Sequence, residues 1–184
     1  MDNGESSYRR FLAGDDSGMF KLVRDFKDGL MLYLSSYTGD LSIAEDCVQD
    51  TFIKLAVKKP RFNGKSSFKT WLYTIGRNIA VDHKRRFFKH KKVSLDDCTT
   101  LSDESDLEQS YLVSEQKIAL RHSLLRLKKE YQQVLHLSYF EEFSNSETAQ
   151  IMGKTIKQVE NLLYNARKAL RAELEKEGFS YEKL

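Results

Sequence analysis

The sequence predicts an all-α fold made of two small helical domains joined by a flexible acidic linker. Three observations carry that expectation. Apolar residues recur at spacings of three, four and seven rather than two, through stretches almost free of Gly and Pro. Capping-box pairs stand ahead of several of these stretches. Between residues 93 and 114 the pattern stops: VSLDDCTTLSDESDLEQSYLVS holds no sustained period and is rich in Ser, Thr and acid, the composition of an extended linker. The 184 residues suffice for two small domains, expected at 8–92 and 115–178 on either side of a linker at 93–114.

The elements follow in order. From Ser17 to Tyr37 a helix groups Phe20, Val23, Leu30, Leu34 and Tyr37. Ser42, with Glu45 three residues on, reads as the capping box of the next helix. That helix runs to about Val57, with Ile43, Cys47, Val48, Phe52 and Leu55 inward and Glu45, Asp46, Gln49 and Asp50 outward. Lys59, Pro60 and Phe62-Asn63-Gly64-Lys65 break the period. Ser66 or Ser67 then caps a helix from Phe68 to about Phe88 that takes in Trp71, Leu72, Ile75, Ile79 and Ala80. Beyond the linker, Ile118, Leu120, Leu124, Leu125 and Leu127 form one apolar set and Val134, Leu135, Leu137 and Phe140 another. Ser144 with Glu147 and Thr155 with Gln158 are further capping boxes, and between them a short helix, Ser146 to Met152, ends at Gly153.

Charge is unevenly distributed along this framework. The net +3 of the chain conceals blocks of −5 over residues 1–53, +12 over 54–92, −7 over 93–116 and +3 over 117–184. Within 54–92 only Asp82 is acidic, and a block so basic points to a polyanionic partner. The linker, with Asp96, Asp97, Asp103, Glu104 and Asp106, is expected to lie against the basic block and discourage DNA binding. The N-terminus is polar and acidic, unlike a signal peptide, and no apolar run nears the ~20 residues of a membrane span. Two cysteines, Cys47 and Cys98, offer no metal-ligand spacing. A reduced, cytoplasmic protein is the simplest expectation.

Three features carry candidate function. The short helix, Gly153 and the helix from Ile156 form a helix-turn-helix pattern: Ala149 is small where helices cross, and Val159 and Leu162 or Leu163 face the core. Lys157, Gln158, Glu160, Asn161 and Tyr164 face out, where base edges can be read, and Arg167, Lys168 and Arg171 add phosphate-binding charge. An ordinary helical hairpin has the same spacing. The basic block is interleaved with Phe62, Phe68, Trp71, Tyr73, Phe87 and Phe88, the pairing of cations and rings that holds single strands. For Phe68 and Trp71 a core role is the simpler reading, whereas Phe62, in the Asn-Gly loop, is expected to be exposed. The run Lys84-Arg85-Arg86 is either phosphate-binding or a solvated helix end. The acidic face Glu45, Asp46, Gln49, Asp50 is either solvated or a docking surface. His83, His90, His122 and His136 form no ligand or catalytic set, and no phosphate loop or nucleophile elbow occurs. No enzyme, cofactor, metal or small-molecule substrate is expected. A free-standing repressor and an interaction adaptor stay open on these grounds.

The motifs together resemble a known family. Asp46-Cys47-Val48-Gln49-Asp50-Thr51-Phe52-Ile53-Lys54-Leu55 resembles the core of region 2 of bacterial sigma factors. Phe62 to Ile75 resembles the promoter-melting segment that follows it, and Asn78-Ile79-Ala80-Val81-Asp82-His83-Lys84-Arg85-Arg86 its continuation. Tyr131 to Phe143 with Glu147 to Arg171 resembles region 4. Region 2, a short linker and region 4 is the layout of extracytoplasmic-function sigma factors within the sigma-70 superfamily, and the match spans most of residues 10–175.

The resemblance implies a promoter-recognising transcription initiation factor with assigned surfaces. Glu45, Asp46, Gln49 and Asp50 would bind the clamp helices of the largest subunit of core RNA polymerase, and region 4 the flap of the second-largest. Phe62, Asn63, Gly64, Lys65 and Ser66 would form the loop that captures a flipped minus-ten base, which fits the few kcal/mol that extrusion costs. Trp71, Arg77, Asn78, Lys84, Arg85 and Arg86 complete the minus-ten set, with Asn78 reading the element and the arginines and Lys84 on the backbone. Lys154, Thr155, Lys157, Gln158, Asn161, Arg167 and Lys168 would contact the minus-thirty-five element. An anti-sigma factor is a further implied partner. One departure stands out: Glu160 and Leu162 replace two cations usual in the recognition helix, so a carboxylate faces phosphate there.

Overall fold

The structure, a computed structural model, describes residues 4–91 and 115–176. The acidic stretch 93–114, with Cys98 and the five linker carboxylates named above, lies outside the described residues, as does Lys92. What is described is helical, with no strand among it: α1 (Glu5–Leu12), α2 (Ser17–Thr38), α3 (Leu41–Lys58), α4 (Phe68–Lys91), α5 (Glu115–Arg126), α6 (Lys129–Leu135), α7 (Asn145–Met152) and α8 (Ile156–Lys176). The end of α6 continues as one π-helical turn, His136–Phe140.

Helices α1 to α4 form the first bundle. Its core interleaves Tyr8 and Phe11 from α1, Leu22, Phe26, Leu30 and Leu34 from α2, Cys47, Phe52 and Leu55 from α3, and Phe68, Leu72 and Ile75 from α4. Each large apolar side chain so buried contributes about 1.5–3 kcal/mol, which holds helices whose own propensity is modest. Phe20 is not part of this core; it is 76% exposed. The buried stripe steps from Leu22 through Phe26 to Leu30, and a residue two before Leu22 falls on the opposite side of the helix. The start of α3 differs as well: its N-cap is Asp40, whose carboxylate accepts from the Ile43 N–H at 3.0 Å, not Ser42. Gly39 ends α2 in a left-handed turn, so the chain restarts at once and Ser42 already lies inside the new helix. The cap of α4 is Ser67, which accepts from the Thr70 N–H at 3.1 Å.

In the second bundle α6, α7 and α8 bury Val134, Leu137, Phe143, Ile151, Val159, Leu163 and Ala166. Phe140 and Leu125, expected inward, are 59% and 64% exposed. The π turn inserts a residue that rotates Phe140 outward, and Phe143 fills the core in its place. Leu124 and Leu127 take the inward positions around Leu125. Ser144 and Glu147 make a complete capping box, and Thr155 and Gln158 a second, with Thr155 N–H to Gln158 Oε1 at 2.8 Å and Gln158 N–H to Thr155 Oγ1 at 3.2 Å. Gly153 (φ 64°) makes the left-handed turn between α7 and α8.

The bundles pack against one another, α4 on α7 and α2 on α6 with its π turn. This seam is polar. Glu147 Oε1 accepts from Ser67 Oγ at 3.1 Å and Thr70 Oγ1 at 2.9 Å. Lys69 Nζ reaches the Glu141 carboxylate at 2.9 Å and its backbone carbonyl at 2.8 Å. Arg77 donates to the Met152 carbonyl at 3.3 Å, and His136 Nε2 donates to the Gly29 carbonyl at 3.1 Å. Arg77 Nε is buried there without a hydrogen-bond partner among the described residues, a cost of about 1–3 kcal/mol for such a group. A seam of that character is one that can part.

Candidate nucleic-acid and polymerase-binding surfaces

Helix α3 turns Ala44, Cys47, Val48, Thr51, Phe52 and Leu55 into the core, which leaves Glu45, Asp46, Gln49 and Asp50 together on its outer face, all exposed. The structure adds what the sequence reading left out. Leu41, Ile53 and Val57, at the same spacing of four as Glu45 and Gln49, are 59%, 55% and 70% exposed. The stripe is thus acidic in the middle and apolar at both ends, a composition that a merely solvated face does not require. The sequence reading did not single these three out; their one signal there is that they are apolar residues outside the inward set. The Cys47 thiol beneath the stripe is pushed up to about 11 by burial, with Asp50 and Asp46 adding to the effect, so it is no ready nucleophile.

The loop between α3 and α4 is held from both sides. Tyr8 donates its hydroxyl to the Pro60 carbonyl at 2.8 Å. Phe62 is half-buried rather than exposed, because its ring packs on Phe68 (centroids 5.6 Å) and Trp71 (5.3 Å). Asn63 Oδ1 accepts from the Lys65 N–H at 3.1 Å, an Asx turn that projects Asn63, Gly64 and Lys65 into solvent while Ser66 stays half-buried. An anchored aromatic base with a polar tip is pre-organised, so little ordering entropy remains to be lost on binding a ligand.

Along α4 the candidates divide between two faces. Trp71, half-buried, and Asn78, exposed, share one stripe with exposed Arg85; Arg86 is exposed too. Among the described residues Arg85 pairs with Asp82, at 3.5 Å, and Lys84 lies over the Tyr37 ring at 5.6 Å. Arg77 faces the other way, into the seam. An open cleft of about 250 Å³, lined by Asp50, Lys54, Ile79, Asp82, His83 and Arg86, joins the acidic stripe of α3 to the basic end of α4.

On the second bundle, the first turns of α8 expose Thr155, Lys157, Gln158 and Asn161, with Arg167 and Lys168 two turns on. Several are engaged: Lys154 pairs with Glu130 at 2.9 Å, Gln158 Oε1 serves the cap, and the Arg167 guanidinium lies 5.7 Å from the Tyr139 ring centre. Glu160 is exposed beside Lys157 and Asn161, and Leu162 is half-buried.

The strongest electrostatics lie where the sequence reading placed no site. Burial alone would raise the Glu141 carboxyl, but hydrogen bonds from His136 and Lys69 outweigh it and hold the group at about 2. Glu147 is also lowered: burial opposes, but its bonds to Ser144, Thr70 and Ser67 prevail. Glu147 had been read as a capping residue alone; one carboxylate oxygen does cap α7, while the other crosses the seam. Among the described residues no group of three or more His, Cys, Asp or Glu is placed to hold a metal ion. No described helix is long and apolar enough to cross a membrane.

Comparison with known proteins assigns this arrangement. Residues 22–87 match the family Sigma-70 region 2, and residues 117–170 match Sigma-70, region 4. The chain is 34% identical over 157 residues to the RNA polymerase sigma factor YlaC of Bacillus subtilis, covering 84% of this chain and 91% of that protein. It is 26% identical over 170 residues to the ECF RNA polymerase sigma factor SigW of the same organism, covering 88% and 91%. The fold is shared with the sigma factor RpoE of Bartonella quintana, solved with the anti-sigma factor NepR, at a TM-score of 0.65 and 23% identity over 84% of this chain and 95% of that one. It is shared likewise with CnrH, solved with the cytosolic domain of CnrY, at a TM-score of 0.62 and 21% identity over 95% and 99%. Sigma factors as a class initiate transcription at promoters without catalysing a reaction themselves. The chain belongs to the sigma-70 family of RNA polymerase sigma factors, in its extracytoplasmic-function branch.

Proposed function

We propose that the three surfaces divide the work of initiation as follows. The outer stripe of α3, Glu45, Asp46, Gln49 and Asp50 flanked by Leu41, Ile53 and Val57, docks on the clamp helices of core polymerase. Acid in the centre steers and orients a basic partner helix, and the apolar ends are desolvated on contact. The loop Phe62–Ser66, backed by Trp71, receives an extruded minus-ten base, Asn78 reads the element, and Lys84, Arg85 and Arg86 hold the strand backbone, whereas Arg77, turned into the seam, does not join them. The start of α8, through Lys154, Thr155, Lys157, Gln158 and Asn161, with Arg167 and Lys168 behind it, contacts the minus-thirty-five duplex. Opening then needs no chemistry from this chain, since tighter binding of the unpaired strand biases polymerase toward the open state. The working units are 8–92 and 115–178, joined by 93–114. The chain acts in the cytoplasm, without cofactor, metal or small-molecule substrate. An anti-sigma factor is its regulator, a partner of the kind present in both solved relatives.

The observation that carries this reading is an exposed acidic-apolar stripe on α3 beside an exposed basic stripe on α4 within one bundle. It is tested by separating the two roles. Asp50→Arg should abolish co-purification with core polymerase by charge reversal. Lys84→Ala/Arg85→Ala/Arg86→Ala should keep core binding and lose promoter opening, read by permanganate reactivity of unpaired thymines. Equal loss of core binding in the triple variant, or unchanged co-purification of Asp50→Arg, contradicts the assignment.

A further inference from the structure

The surfaces above account for only part of the basic block. No Asp or Glu stands between Asp50 and Asp82. Of the cations in that stretch, Lys69 pairs with Glu141, Arg77 turns to the Met152 carbonyl, and Lys54 lines the cleft with Asp50. Lys65 belongs to the loop, so Lys58, Lys59 and Arg61 remain. All three are exposed, and none meets a carboxylate among the described residues. Their backbone is fixed at three points. Lys59 Nζ lies 5.1 Å from the Phe11 ring centre, Tyr8 donates its hydroxyl to the Pro60 carbonyl at 2.8 Å, and the Phe62 ring packs on Phe68 and Trp71. The cations of 58–61 are therefore presented from an ordered segment, and little chain entropy is lost when an anion binds them.

Ending a helix does not explain all three. Lys58, in the last turn of α3, complements the negative end of the helix dipole. That effect fades beyond the last turn, and Arg61 stands past it. Lys59 closes α3 in the left-handed region, at φ 43°, where glycine sits without strain and a residue with a side chain does not. The position thus carries its charge at a conformational cost, and strain of this kind gathers at functional sites.

The neighbouring chain identifies what the charge meets. Arg61 directly precedes Phe62, the first residue of the base-capturing loop. Rings that take bases, beside cations that follow the backbone, are the two parts of a single-strand site. The cations already given to the strand, Lys84, Arg85 and Arg86, stand toward the other end of α4, about 25 Å from its start at 1.5 Å per residue. We propose that Lys58, Lys59 and Arg61 form a phosphate-binding ridge that carries the unpaired promoter strand past the captured base, so that the strand is held at both ends of α4. A stacked strand, at 3.4 Å per nucleotide, covers that distance in about eight nucleotides. The ridge rests on the base-capture and strand-holding roles given above to the loop and to α4.

The test uses the chain assembled with core polymerase, and fluorescence anisotropy reads its binding to fluorescein-labelled oligothymidylates. Lys58→Ala/Lys59→Ala/Arg61→Ala is compared with wild type; polymerase contributes alike to both, so the difference reports the ridge. Each phosphate contact on a single strand adds about 0.7 to the slope of log affinity against log salt, so losing three should flatten it by about 2. Raising salt from about 50 to about 200 mM should then cost wild type roughly twentyfold more affinity than the variant. A four-nucleotide strand cannot reach both ends of α4, whereas a sixteen-nucleotide strand can. The gain in affinity between these lengths should be about tenfold smaller in the variant, because one of two linked sites is gone. Lys58→Arg/Lys59→Arg keeps the charges and should behave as wild type. An unchanged salt slope overturns the ridge, and so does a length gain equal to that of wild type. Loss of co-purification with core polymerase in the alanine variant also overturns it, and places these cations on the polymerase instead. Lys84→Ala/Arg85→Ala/Arg86→Ala separates the underlying reading. If that variant keeps the wild-type slope and length gain, the strand-holding role of those three residues falls, while the ridge is still judged by its own slope.

Discussion

Replacing Glu141 by Gln isolates the most perturbed carboxylate among the described residues, and its contribution can be worked from its surroundings. The group is 13% exposed, faces Lys69 Nζ at 2.9 Å and His136 Nε2 at 3.4 Å, and titrates at about 2 where a free glutamate titrates at 4.5. A depressed carboxyl contributes stability that is fully present above the unfolded value and lost as pH falls through the folded one. The window here therefore runs from about 4.5 down to about 2. At 1.36 kcal/mol per pH unit that gap corresponds to about 3 kcal/mol, of which about 2 is gone by pH 3. The assay is urea unfolding followed by Trp71, the single tryptophan, which packs on Tyr8, Phe62 and Phe68 in the first bundle. Other carboxylates titrate alike in both proteins, so the difference between them reports Glu141. Wild type should exceed Glu141→Gln clearly at pH 6.5, and the difference should shrink by about 2 kcal/mol at pH 3. A difference that does not change between these pH values would refute the reasoning, because the ion pair would then contribute nothing through ionisation.

Two further predictions concern local structure and duplex reading. Ser144→Ala removes the hydroxyl half of the α7 capping box and should cost about 1 kcal/mol in thermal unfolding of the second bundle; no measurable loss would mean that Glu147 alone caps the helix. Glu160→Lys replaces the exposed carboxylate on α8 with the charge usual in the family, and should tighten duplex binding and steepen its salt dependence by about one phosphate contact. A salt slope identical to wild type would place Glu160 off the DNA.

Much of the fold was legible because its grammar is local. Ser144 with Glu147, Thr155 with Gln158, and Gly153 between them each act over three residues or fewer, so the helix-turn-helix could be read from spacing. The outward placement of Glu45, Asp46, Gln49 and Asp50 followed from the inward placement of Cys47, Val48, Phe52 and Leu55. Local grammar also misled: Ser42-x-x-Glu45 satisfies the capping pattern, but Asp40 stands directly after the turn at Gly39 and takes the role. Phe140 was misplaced because a π turn breaks the 3.6 period without any composition signal. The seam was not legible at all. Lys69 and Glu141 are 72 positions apart, Thr70 and Glu147 77, and nothing within either helix marks one for the other. Phe62 illustrates the same limit on a smaller scale, since its burial depends on Trp71 and Phe68 arriving from the next helix.

The central claim is that this chain directs RNA polymerase to promoters, and run-off transcription addresses it most directly. Purified core polymerase is supplied with a library of promoter fragments, with and without the chain, and the transcripts are sequenced at their 5′ ends. Transcripts that start at defined positions only when the chain is present, and that disappear with Asp50→Arg, are the predicted result. Transcription indistinguishable with and without the chain would contradict the account.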